Sequence, residues 1–275
     1  IILKGAVILN ILQKTHFNPV HIGLLCAMPE EIGATLENLQ NTFETHWGDL
    51  KIISGEWYEH RANYPSVYIS VAWSGWDKVS AARAATRLLG TSFRDRTIDV
   101  ILFTGVAGAA NSTLNQWDIV IPTELVQHDM DARPLFRRYV IPALKQERIS
   151  SKCQWVEWAS SALKDSISQK VCNHFGKVET GLIATGDRFI AEKSLLDNLS
   201  RELPGLCAVE MEGAAVAQVA CQERVPWLIV RVISDGADNS AAQTFNNFLK
   251  DYEKSSWHLI EILLKNYKTA PWEEK

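Results

Sequence analysis

Val100-Ile101-Leu102-Phe103-Thr104-Gly105 and Trp227-Leu228-Ile229-Val230-Arg231-Val232-Ile233 are near-continuous apolar runs, each short and rich in β-branched or aromatic residues. A strand that is wet on one face alternates apolar with polar. Runs without alternation belong to strands covered on both faces. Five further stretches read the same way: His21–Met28, Val67–Trp73, Asp118–Gln127, Gly181–Asp187 and Leu206–Glu212. Helix-like stretches lie between them. Pro29–Leu39 opens with proline, Asp77–Leu89 is alanine-rich, and Gln154–Gln169 and Ala191–Leu203 are amphipathic. Gly213–Arg224 is followed by Pro226, which stops a helix. Phe245, Phe248, Leu249 and Tyr252 fall at helical spacing. Alternation of buried strands with helices predicts a three-layer α/β/α sandwich around a mixed, mainly parallel central sheet. No repeat, low-complexity tract or linker interrupts it. One domain over 21–268 is expected, preceded by an N-terminal extension over 1–20.

Composition narrows the function. The 275 residues are 47% hydrophobic, which is enough for a large core. A formal net charge of -4 lacks the basic footprint of a nucleic-acid binder. No apolar run reaches the roughly 18 residues of a membrane span. Gly5–Leu9, after Lys4, has the outline of a signal-peptide remnant, but it is short and no small-residue cleavage site follows. The five cysteines, Cys26, Cys153, Cys172, Cys207 and Cys221, form no CxxC pair. Scattered thiols of this kind point to a reducing, cytoplasmic location rather than to a metal or disulfide framework.

Four stretches put polar groups where an α/β sheet gathers ligands, beyond the carboxyl ends of its strands. Cys26-Ala27-Met28-Pro29-Glu30-Glu31 carries two acids at a strand end; they either offset a helix dipole or serve a site. Thr104-Gly105-Val106-Ala107-Gly108-Ala109 is either a tight turn or a backbone cradle for a ligand. In Val209-Glu210-Met211-Glu212-Gly213-Ala214-Ala215, Glu210 and Glu212 fall on one side while strand geometry lasts, and they could equally cap the following helix. Arg231 inside an apolar strand and Asp235 at its end need partners, structural or functional.

Together these stretches resemble the nucleoside phosphorylase/nucleosidase superfamily, and within it the 5′-methylthioadenosine/S-adenosylhomocysteine nucleosidases. The resemblance lies in His21–Glu31 (HIGLLCAMPEE), Thr104–Ala109 (TGVAGA), Asp118–Pro122 with His128-Asp129, Gly186–Ile190 (GDRFI), Val209–Ala215 (VEMEGAA) and Val230–Asp238 (VRVISDGAD). These occur in family order and cover roughly Ile22 to Leu264. The first twenty residues and 137–177 match poorly.

The resemblance implies a phosphorylase/hydrolase-like fold and hydrolysis of the N-glycosidic bond of a 5′-modified adenosine, with no cofactor and no metal. Such chemistry needs a carboxylic acid kept protonated to place a proton on purine N7, and a base that activates water on the opposite face of the sugar. The resemblance assigns Asp235 as the acid, positioned by Ser234, and Glu31 as the base, with Arg231 beside it. Glu212 would accept from the ribose hydroxyls, with Met211 beneath the sugar. Phe189 would stack on adenine and the backbone of Ile190 would read its edge. Val106, Ala107 and Gly108 would border the ligand, and Phe245 the 5′ substituent. A homodimer is implied, with Leu135 or Phe136 reaching the partner's 5′ pocket and Arg133 near its mouth. Two departures stand out: Val106 replaces the family's usual hydroxyl residue, and Arg133 lies where the family is often uncharged. A phosphorylase would need a basic phosphate loop near Glu31, where this chain is acidic. A catalytically silent nucleoside-binding protein would not need to keep Glu31, Glu212 and Asp235 together.

Overall fold

A computed structural model describes residues 19–60, 62–170 and 174–272. The N-terminal extension lies almost wholly outside the described residues, as do the Gly5–Leu9 segment and Cys172. In chain order the strands are β1 (Val20–Cys26), β2 (Gln40–Trp47), β3 (Leu50–Trp57), β4 (Val67–Trp73), β5 (Ser92–Phe93), β6 (Arg96–Thr97), β7 (Val100–Ala109), β8 (Ile119–Gln127), β9 (Ile149–Ser150), β10 (Val178–Thr185), β11 (Leu206–Glu210) and β12 (Trp227–Asp235). The helices are α1 (Lys78–Leu89), α2 (Cys153–Ser168), α3 (Lys193–Glu202), α4 (Gly213–Glu223) and α5 (Ala241–Lys265).

The central sheet runs β11-β10-β8-β12-β7-β1-β4-β3-β2, with β9 on β8. Its middle is parallel, β1 pairing with both β4 and β7, and β7 with β12. The two runs that decide the fold lie side by side, Leu228 opposite Leu102 and Ile229 opposite Phe103. Period two sends their side chains to opposite faces. Leu102, Leu228 and Val230 pack with α2 and α5, whereas Ile101, Phe103 and Ile229 pack with α1 and α4. That is the sandwich expected, and helices cover both faces of the two runs. β11 also pairs antiparallel with the far end of β7, so the sheet curls back on itself at this edge.

Several local readings need correction. Thr104–Ala109 is not a turn: β7 continues through it to Ala109. Gly105 permits this with φ +153, and a Cβ there would sit 2.5 Å from both Arg231 Nη1 and Glu31 Oε1. Pro29–Leu39 is not one α-helix but two 3-10 stretches, Pro29–Glu31 and Gly33–Asn38. Gly33, at φ +51, breaks it, and Ser256 and Glu253 of α5 press too close for a side chain there. β11 ends at Glu210, and Glu212 is the N-cap residue of α4 rather than a strand residue. The β2–β3 hairpin has no counterpart in the sequence reading. β2 is an edge strand with no buried residue, so it carries no apolar run.

Candidate active site

A cleft opens at the carboxyl ends of the sheet strands. Ala27, Met28 and Glu31 come from the end of β1, Val106 to Gly108 from β7, and Val209 to Glu212 from the end of β11. Ser234 and Asp235 end β12, Arg188 to Ile190 follow β10, and Phe245 projects from α5. Trp76 follows β4.

Glu31 is almost fully buried. Its Oε2 accepts the backbone N–H groups of Ala27 at 2.8 Å and Met28 at 2.9 Å, and its Oε1 that of Val106 at 2.9 Å. Burial raises its pKa, opposed by Arg231 and by these three bonds. Asp235 Oδ1 accepts from the Ala237 N–H at 2.8 Å, and Oδ2 lies 2.7 Å from the Ser234 hydroxyl. Burial raises the Asp235 pKa as well, with Asp238 adding to it and the two hydrogen bonds opposing. A carboxyl raised in this way can hold a proton closer to neutrality than a free aspartate does. The two acids are seated against two glycines of β7. Glu31 faces Gly105 and Asp235 Oδ1 faces Gly108, where an added Cβ would come 3.1 Å from it. Those glycines are three positions apart on the strand, roughly 10 Å at about 3.3 Å per residue.

Behind the cleft, Arg231 is fully buried and does not line it. Its Nη2 holds Glu210 Oε2 at 2.6 Å and lies 3.8 Å from Glu212. Its guanidinium lies over the Phe103 ring, 3.9 Å from the centroid. Glu210 also accepts from the backbone N–H groups of Glu212 and Gly213 and from the Thr185 hydroxyl. The sequence reading placed Arg231 among the ligand-binding residues. Its position instead makes it the counter-charge of an acidic cluster, the buried Arg–carboxylate pair that the residues alone had left open. Such a pair survives burial because every removal leaves an unpaired charge.

Glu212 accepts from the Asp77 N–H at 3.2 Å. Burial first, then the neighbouring Glu210, push its pKa up to about 8, with Glu31 adding and Arg231 opposing. Between the ordinary glutamate range and about pH 8 the folded protein therefore keeps a proton that the unfolded chain has lost, and stability falls as pH rises. Glu212→Gln removes that dependence. Its melting temperature is expected to exceed the native one by a few degrees near pH 8, with the gap closing near pH 5, as read by thermal unfolding across pH.

Of the site residues read from sequence, the cleft brings together Glu31, Val106, Ala107, Gly108, Phe189, Ile190, Met211, Glu212, Ser234, Asp235 and Phe245. Leu135 and Phe136 do not line it; they are exposed, Leu135 by 84%. Arg133 is not among the lining residues of its own cleft, and its guanidinium is held by Asp131 in a bidentate pair. Trp76 and Arg188 were missed. Trp76 sits edge-on to Phe245, centroids 6.1 Å apart, and Phe189 meets Phe245 at 5.9 Å. No motif in Ser74–Asp77, beyond the end of β4, marks that stretch as part of a site. Among the described residues no group of three or more His, Cys, Asp or Glu could hold a metal ion.

A cleft bearing three raised carboxyls, Glu31, Glu212 and Asp235, with backbone N–H groups and an aromatic rim, defines the class. Residues 21–265 match the model of the phosphorylase superfamily. A 5′-methylthioadenosine/S-adenosylhomocysteine nucleosidase of Anoxybacillus flavithermus is 31% identical over 248 residues, 89% of this chain and 98% of that one. The Neisseria meningitidis nucleosidase of the same name, solved with methylthio-immucillin-A, superposes with a TM-score of 0.76 at 28% identity, covering 90% of this chain and 99% of that one. A Helicobacter pylori futalosine hydrolase gives a TM-score of 0.76 at 29% identity, covering 90% and 97%. The chain belongs to the 5′-methylthioadenosine/S-adenosylhomocysteine nucleosidase family of that superfamily.

Proposed function

We propose that the protein hydrolyses the N-glycosidic bond of 5′-methylthioadenosine and S-adenosylhomocysteine, releasing adenine and the 5′-modified ribose. The observation that carries this reading is the pair of buried carboxyls, Glu31 and Asp235, seated against Gly105 and Gly108 of one strand and facing one cleft. Asp235 gives its proton to purine N7 as the bond from C1′ to N9 breaks, and the base leaves neutral. A water bonds to C1′ from the opposite face, and Glu31 takes its proton. The Ser234 hydroxyl, within reach of both Asp235 and the Ala107 carbonyl, orients the acid. Glu212 accepts from the ribose hydroxyls above Met211. Phe189 stacks on adenine, the Ile190 backbone reads its edge, and Phe245 borders the 5′ substituent.

Phosphate is a poor fit as the nucleophile. Arg188 is the cation among the described residues lining the cleft, and it pairs with Glu192 at 3.1 Å. Glu31 stands where an anion would have to enter. The test is a panel of methylthioadenosine, S-adenosylhomocysteine, 5′-deoxyadenosine and aminodeoxyfutalosine, run without phosphate, with free adenine measured. Adenine release that requires phosphate would overturn hydrolysis. Turnover of aminodeoxyfutalosine alone would move the reading to the chemistry named for the Helicobacter pylori relative.

The same reading includes a homodimer in which Leu135 or Phe136 covers the partner's 5′ pocket. What supports it is their exposure as an apolar pair on an irregular segment outside their own cleft. A monomer that is fully active in sedimentation at assay concentration removes that part. A cytoplasmic location belongs to the reading too. The unpaired thiols of Cys26, Cys153, Cys207 and Cys221 support it, and no helix of the described residues is long and apolar enough to cross a membrane.

A further inference from the structure

Behind the cleft three buried polar atoms have no hydrogen-bond partner among the described residues: Nε and Nη1 of Arg231 and the hydroxyl of Tyr252. Tyr252 is fully buried on the inner side of α5. Its ring stacks on Phe248, centroids 5.5 Å apart and planes 20° from parallel, and lies 6.3 Å from the Trp117 ring. All of that packing needs only a phenyl ring. The hydroxyl adds the cost of a buried donor left without a partner. Tyr252 shares its buried cluster with Cys26, Ile32 and Val232, and the adjoining turn of α5 closes on Gly33, two residues from Glu31. The ionisable groups acting on its hydroxyl are Glu31 foremost, then Cys26 and Arg231.

Glu31 has room for one more donor. A carboxylate offers about four lone-pair sites. Two on Oε2 are taken by Ala27 and Met28, and one on Oε1 by Val106, whose side chain has no polar atom to add. The free site is on Oε1. That oxygen and Arg231 Nη1 each lie 2.5 Å from the Cβ position of Gly105, so they are no more than twice that distance apart. A gap of that size between polar groups is one that a single water spans.

We propose that Tyr252 is a positioning residue for the base: its hydroxyl joins Arg231 Nη1 and the free lone pair of Glu31 Oε1 around a buried water, and so holds Glu31 as the proton-accepting carboxylate. The inference rests on the reading of Glu31 as the base. The groups facing Glu31 act in both directions. Arg231 from β12 favours its ionised form. Cys26, on β1, is a neutral thiol whose own ionisation Glu31 opposes. Glu212, beyond β11, repels it when charged, and Glu210 is neutralised by Arg231. A donor relayed from Tyr252 adds to the favourable side, because a hydrogen bond to the charged form stabilises that form.

Tyr252→Phe keeps the ring and deletes only the hydroxyl. Adenine release from methylthioadenosine is followed across pH for the native protein, Tyr252→Phe and Glu31→Gln, with melting temperatures alongside. For Tyr252→Phe the expected result is an unchanged KM and melting temperature. The kcat falls about tenfold, and the acid limb moves to higher pH by up to about one unit, the worth of one hydrogen bond to a charged group. A pH profile that superimposes on the native one overturns the proposal. So does a lower rate accompanied by a lower melting temperature with the acid limb in place, which would make Tyr252 a packing residue. If Glu31→Gln stays active, the base reading itself fails. If Glu31→Gln is inactive and Tyr252→Phe behaves as native, only the role of Tyr252 fails.

Discussion

Asp235→Asn is expected to lower kcat on methylthioadenosine by about 10²–10⁴-fold, the usual worth of general acid catalysis. Asparagine keeps the shape of the side chain and can still meet the Ala237 N–H and the Ser234 hydroxyl, so the end of β12 stays in place. It has no proton to give to N7. The purine must then leave as an anion, and the barrier rises while the pocket stays intact. The measurement is kcat together with the affinity for adenine. A variant that keeps more than about a tenth of native activity would remove Asp235 as the acid, because such a loss is too small for general acid catalysis. Loss of both turnover and adenine binding would mark a damaged pocket instead.

Glu31→Gln is expected to abolish hydrolysis without conferring phosphorolysis. Glutamine presents one oxygen and one NH₂ where the carboxylate presented two acceptors. It cannot satisfy the N–H groups of Ala27, Met28 and Val106 together, and it cannot take a proton from water. Removing the negative charge makes the cleft less hostile to phosphate, yet no cation enters it: Arg231 stays fully buried behind the lining, with Glu210 as its counter-charge. The readout is a product analysis with and without phosphate. Ribose-1-phosphate formed only when phosphate is present would contradict this account of the site.

The sandwich was legible because β7 and β12 are apolar over most of their length, and only strands covered on both faces are written that way. The acids were legible because charge at the end of such a run is costly without a task. What was hidden depends on geometry without a chemical signature. Gly105 and Gly108 read either as a turn or as a cradle for a ligand, since small residues announce freedom without saying how it is used; here they let a strand pass between two carboxyls. Arg231 read as a ligand contact, and only the three-dimensional placement of Glu210 reveals its partner. Trp76 could not be found, because an aromatic on a turn becomes part of a cleft only when α5 brings Phe245 against it. The β2–β3 hairpin left no trace because exposed edge strands carry polar residues on most positions.

The pairing of β11 with the far end of β7 has a consequence for how the molecule assembles. It joins Val209 to Gly108 and Ala208 to Ala109, partners separated by roughly a hundred positions of chain. Contacts between such distant positions are entropically expensive to close before the intervening strands are in place. The same closure carries Glu210 to Arg231 and sets the rim on which Met211 and Glu212 stand. The cleft is therefore expected to be among the last parts of the fold to be completed. During refolding, recovery of strand and helix signal should run ahead of recovery of turnover, and a chain caught between the two would be folded in its spectrum and empty of activity.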